Sequence, residues 1–217
     1  MTLITEGRYT GDFLASEASG ARSRDEIVVN QGQNLGVGTV LGRISTGAAA
    51  PAPGGDNVGN GVMGTITVGH NALAGNYLLE ITAEASNAGE FTLHDPKGNL
   101  VGTGNVASAF TSTHLSFTLA DGSEDFDEGD TFVIAVTTVP GQYVAYAPNA
   151  SNGSQTAIGI LWEDTNATDE AQRAVAITRD AEVKADLLVW PTGFTPAQIA
   201  TGTTQLEARG IIARAGY

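Results

Sequence analysis

The chain contains no cysteine, which excludes disulfides, Cys-ligated zinc or iron, and a thiol nucleophile. Large side chains are also scarce: two Trp and two Met stand beside 28 Gly in 217 residues. That composition reads as short strands and many turns, in one large domain or two small ones. Basic charge is the third scarcity. Ten Lys and Arg face 24 Asp and Glu, a net of −14, and without a basic face there is nothing to meet phosphates, so nucleic acid is excluded as a partner. Long apolar runs are missing too. No stretch approaches the roughly 18 residues a membrane helix needs, and MTLITEGRYTGDF has no basic start followed by an apolar core. Neither a membrane partner nor a leader is expected, and synthesis is expected in the cytosol.

Catalytic and metal-binding patterns are thin. No Gly-x-Ser-x-Gly elbow occurs, so a serine hydrolase has no anchor. His70, His94 and His114 fit no helical metal spacing and read as surface histidines rather than a zinc site. Asp121–Asp130 (DGSEDFDEGD) lacks the order of an EF-hand loop and reads as a solvated loop. Gly102–Ala107 (GTGNVA) resembles a dinucleotide fingerprint without its helix. Asn149, Asn152 and Asn166 open sequons that read as turns. No enzyme activity, cofactor or metal is expected.

Charge is unevenly spread. Residues 51–139 hold eleven acids against the single base Lys97, a net of −10, whereas 1–50 carry −1 and 140–217 carry −3. The middle is therefore a separate, self-repelling block. It follows Thr46–Gly55 (TGAAAPAPGG), which reads as a linker. Alternation over Val62–Val68, Tyr77–Ala83, Phe91–Leu93, Leu115–Leu119 and Phe132–Val136 predicts a small antiparallel β-sandwich. Outside it, Thr39–Ile44 reads as a strand. Gly141–Asp164 reads as two short strands joined by a polar loop, resuming the fold begun at Thr39. Further strands are expected over Ala174–Thr178, Ala181–Val189 and Ile211–Ile212. One helix is expected from Thr195, with Pro196 at its first position and Gln198 completing a capping box, running to about Ala208 with Gly202 as a weak point. The first 36 residues lack a buried periodicity. They read either as a disordered tail or as an arm that orders on a partner through a few apolar anchors.

Glu6–Arg24 (EGRYTGDFLASEASGARSR), Gly38–Gly42 (GTVLG), Tyr143–Asp164, and Ala181–Pro191 with the helix and Arg209–Ile212 together resemble the head decoration proteins of tailed bacteriophages, the lambda-type group. The resemblance covers roughly residues 3–45 and 140–214. It implies a structural cement protein, made in the host cytoplasm and sited on the outer surface of the virion capsid. Such a protein binds the expanded head as a homotrimer at three-fold and quasi-three-fold positions and clamps the major capsid protein against DNA pressure. The implied organisation is mainly β: an N-terminal capsid-binding arm over 1–36, a discontinuous decoration domain over 37–46 and 139–217 with one C-terminal helix, and an inserted acidic immunoglobulin-like β-sandwich over 47–138. Implied capsid contacts are Leu3, Ile4, Tyr9, Phe13, Leu14, Arg22 and Arg24, and implied trimer contacts are Trp162, Leu187, Trp190 and Pro191. Ordinary core packing is an equal reading for both tryptophans. The competing function is adhesion or carbohydrate binding at a host surface through the insertion. It would need an exposed cluster among Tyr77, Phe91, Phe110, Phe117, Phe126 and Phe132.

Overall fold

The computed structural model describes residues 7–19 and 22–216, and in them strand follows strand until a single helix near the end. The first four strands are β1 (Leu14–Glu17), β2 (Arg24–Val29), β3 (Gln33–Leu35) and β4 (Val40–Arg43). Eight follow: β5 (Ala48–Pro53), β6 (Thr67–Val68), β7 (Gly75–Ala83), β8 (Glu90–His94), β9 (Leu100–Asn105), β10 (Ala109–Thr111), β11 (Leu115–Thr118) and β12 (Thr131–Thr138). The remainder is β13 (Tyr143–Ala145), β14 (Ala157–Leu161), β15 (Thr165–Ala167), β16 (Gln172–Ile177), β17 (Ala181–Lys184), a 3-10 turn at Ala185–Leu187, α1 (Pro196–Glu207) and β18 (Ile211–Arg214). The described residues are mainly β with one α-helix. It divides into two compact units, Met1–Ser45 with Gly141–Tyr217, and Thr46–Pro140.

The first unit is built on a closed barrel in the order β13-β2-β16-β14-β4, with a β1-β17-β18 sheet and a β15-β3 ribbon. Strand β4 divides its interior. Val40 and Leu41 are adjacent, so their side chains point to opposite faces, and both are fully buried. Val40 packs with Phe13, Ile160, Ile177, Val183 and Leu206, and Leu41 with Ile27, Val29, Leu161 and Ala176.

Strands β13 and β14 are not paired as neighbours, because β4 lies between them: Tyr143 is opposite Arg43, and Ile160 is opposite Val40. Residues 14–35, read from sequence as part of an arm with a strand-like stretch at Ile27–Val29, form β1, β2 and β3. Their apolar side chains are too few to show a period, but Phe13, Ile27 and Val29 are each buried. The helix begins as expected. Thr195 accepts from the Gln198 amide while the Gln198 side chain accepts from the Thr195 amide, with Pro196 at the first position. Gly202 is more than a weak point: it is buried, and a Cβ there would lie 2.6 Å from the Trp190 ring.

In the second unit the sheets β5-β12-β7-β8-β9 and β10-β11-β6 are antiparallel throughout and share one core. Tyr77, Leu79 and Ile81 of β7 are fully buried against Phe91, Phe117 and Ile134. Burial of each is worth about 1.5–3 kcal/mol. The stretch read as a linker contains β5, an edge strand that pairs with β12 from Pro53–Phe132 to Ala48–Thr138. The Gly54 amide donates to the Thr131 carbonyl, so by alternation Ala52 and Ala50 also face β12, and Pro51 and Pro53 face the open edge. A residue with no N–H is tolerated there. The expected strand over Val62–Val68 shrinks to Thr67–Val68, leaving Val62 67% exposed, and GTGNVA lies mostly in β9.

Candidate functional site

The described part of the N-terminal segment is held to the first unit around Trp162. Gly11 donates its amide to the Trp162 carbonyl at 3.0 Å. Its φ is +70°, and a Cβ would stand 2.3 Å from the indole, so only glycine fits this crossing. Phe13 meets Trp162 edge to face at a 6.1 Å centroid separation and is fully buried. The Arg24 guanidinium lies 3.7 Å from the indole centroid, a cation–π geometry. Arg24 also grips the Glu17 carboxylate, with Nε donating at 2.9 Å, and this hydrogen bond holds the Glu17 carboxyl below the usual carboxylate range.

A second lock lies beside it. Arg8 donates to both carboxylate oxygens of Asp12, at 2.9 and 2.7 Å, and to the Leu187 carbonyl at 2.7 Å. Lys184 Nζ donates to the Asp12 carbonyl at 3.0 Å. Strand β1 then runs antiparallel to β17, with Leu14 opposite Val183. Arg22 is exposed and pairs with Asp180 at 3.0 Å.

A third cluster is aromatic. Tyr146 is buried and meets Trp190 and Phe194 edge to face, at 6.0 and 5.7 Å. Pro148, Pro191 and Phe194 line an open depression of about 300 Å³ over it. The Tyr146 hydroxyl is buried without a hydrogen-bond partner among the described residues, and burial pushes it above the ordinary phenol range.

Of the arm residues expected from sequence, Leu3 and Ile4 lie outside the described residues. Tyr9 is 67% exposed, Leu14 is half-buried, and Phe13 and Arg24 meet at Trp162. Of the expected trimer residues, Trp162 makes its ring contacts within the unit, as does Trp190. Leu187 and Pro191 are half-buried, with Val189 between them 38% exposed. Sequence reasoning missed Arg8, Gly11, Asp12 and Tyr146. The opposite charges of Arg8 and Asp12 four residues apart were the available signal. Among the described residues no three His, Asp or Glu side chains converge as a metal group. Among the described residues no helix is long and apolar enough to cross a membrane.

No curated protein matches the chain. Among solved structures, FlgL of Xanthomonas campestris aligns at 16% identity and a TM-score of 0.33, over 48% of this chain and 34% of that one. The flagellar hook junction protein FlgK from Burkholderia pseudomallei aligns at 20% identity and a TM-score of 0.35, over 61% of this chain and 23% of that one. The chain thus spans about a third or less of those proteins, and scores this low establish no shared fold. The family model of bacteriophage lambda head decoration protein D matches residues 3–211.

Proposed function

The chain belongs to the family of bacteriophage lambda head decoration protein D, and on that premise we propose that it is a cement protein of the expanded head. The coarse assignment, a structural phage head decoration protein, comes with the family. The proposed detail is a homotrimer at three-fold and quasi-three-fold positions on the outer surface, bound to the major capsid protein and resisting internal DNA pressure. The observation that carries this reading is the family match, which runs from residue 3 to residue 211 and so spans both units.

Capsid contact is assigned to the segment before Gly11. Residues 7–10 are exposed, and Tyr9 is a large exposed apolar side chain just ahead of the Gly11–Trp162 crossing. Leu3 and Ile4 join it in this proposal. Phe13, Leu14, Arg22 and Arg24 act instead as the root of the arm. Trimer contact is assigned to the surface at Leu187, Val189 and Pro191, because the faces of Trp162 are taken by Gly11, Phe13 and Arg24. The inserted unit is proposed to project outward and to be immunoglobulin-like. Two antiparallel sheets, β5-β12-β7-β8-β9 and β10-β11-β6, over one core support the sandwich reading. Carbohydrate adhesion lacks support, since Tyr77, Phe91, Phe110, Phe117, Phe126 and Phe132 are all buried.

The test is to mix purified protein with expanded, undecorated capsids and image them. Density of three-fold symmetry at the three-fold positions is expected. Protein lacking residues 2–10 is expected to keep its fold and to leave the capsids bare. Full occupancy by the truncated protein would remove the arm from the proposal.

A further inference from the structure

Strands of the five-stranded sheet alternate buried and exposed side chains, and in the outward set one cross-strand row is mostly apolar. The pairings Ala52–Val133, Val133–Leu78, Leu78–His94 and His94–Leu100 run across all five strands. Val133 is 37% exposed, Leu78 41% and Leu100 59%. With strands about 4.8 Å apart, the row spans roughly 19 Å. An apolar line of this kind on a solvated face marks an interaction surface more readily than scattered apolar residues do.

The neighbouring rows say what partner fits. Two residues along the strands, roughly 6.8 Å away, lies the row Thr131–Glu80–Thr92–Thr103, and beyond it Glu90 pairs with Asn105. Residues 46–140 hold eleven carboxylates and one lysine, Lys97, which sits in the β8–β9 turn. A second copy of this face would bring like charge onto like charge, which disfavours self-pairing. No Phe, Tyr or Trp ring projects from the row to stack on a sugar.

We propose that this outer sheet face docks a cationic protein segment whose line of aliphatic side chains lies on Val133, Leu78 and Leu100 while lysine or arginine side chains about 7 Å and about 14 Å to one side meet Glu80 and Glu90 respectively. The apolar row supplies contact area and the carboxylates supply orientation and encounter rate.

The test uses the full chain, labelled for amide NMR and titrated with a synthetic amphipathic helix of leucine and lysine. A counterpart with glutamate for lysine serves as control. Shift changes are expected to centre on residues 78, 94, 100 and 133, with none from the glutamate peptide. The triple variant Leu78→Thr, Val133→Thr, Leu100→Thr is expected to weaken binding at least about tenfold. Should the triple variant misfold, Leu100→Thr on the outermost strand carries the test alone, with an expected loss of about threefold. Changes centred on the acidic loop 121–130, or affinity untouched by these substitutions, overturn the proposal by reducing the effect to charge alone. Concentration-dependent shifts at the row without peptide overturn it in favour of a second copy.

Discussion

Whether residues 13–17 are docked before any partner arrives is decided by Phe13→Ala. Phe13 is fully buried, packs in the core containing Val40, Val183 and Leu206, and meets Trp162 edge to face. Removing such a ring costs about 3–5 kcal/mol when the cavity cannot collapse. Collapse is hindered here because β1 is fixed by its pairing with β17 and by the Lys184 amide donating to the Phe13 carbonyl at 2.8 Å. The assay is urea unfolding followed by tryptophan emission. Both tryptophans, Trp162 and Trp190, lie in the unit formed by Met1–Ser45 and Gly141–Tyr217, so the signal reports that unit alone and escapes the ambiguity of a two-unit transition. A loss of at least about 3 kcal/mol is expected. A loss below about 0.5 kcal/mol, the range of an ordinary surface substitution, would mean that the free protein does not hold Phe13 in its core, and the docked root of the arm would have to be abandoned.

Gly202→Ala gives a test of sign. Helix propensity alone predicts a gain of about 1 kcal/mol, whereas the 2.6 Å approach of a Cβ to Trp190 predicts a net loss, and a raised unfolding midpoint would refute the contact. Replacing Thr46–Pro140 with Asn-Gly is expected to leave the first unit folded with its tryptophan emission unchanged. Ile44 donates to the Gln142 carbonyl at 2.9 Å and accepts from the Gly141 amide at 2.8 Å, so the two chain ends already form a hairpin stem; loss of cooperative unfolding would show that the stem does not suffice. Glu17 has a depressed folded pKa, so its contribution is whole above the unfolded value of about 4.3 and is lost as pH falls through the lower folded value. Glu17→Gln should therefore cost about 1 kcal/mol at neutral pH and nothing once both forms are protonated, and an equal cost at both pH values would exclude the ion pair as its source.

Local signals were legible and distant ones were not. The capping box at Thr195 and Gln198 is read within four residues, and the alternation of Tyr77, Leu79 and Ile81 within five. Strand β5 reads as a linker because Ala and Pro carry no strand signal. What makes it a strand is a partner some eighty residues later. The order β13-β4-β14 is hidden for the same reason: β4 is separated from both neighbours by the whole second unit. At the site, Trp162 and Phe13 were both noticed. Their meeting depends on the backbone crossing at Gly11, which no periodicity records.

Pro51 and Pro53 on β5 have a consequence for crowding. An incoming strand that tried to extend the five-stranded sheet along that edge would find two donors missing, and each lost hydrogen bond forfeits about 0.5–1.5 kcal/mol. Concentrated copies, whether in the cell or side by side on a head, therefore resist zipping into a continuous ribbon at this edge. Two imino acids, in a stretch whose composition reads as a spacer, thus guard this edge of the sheet.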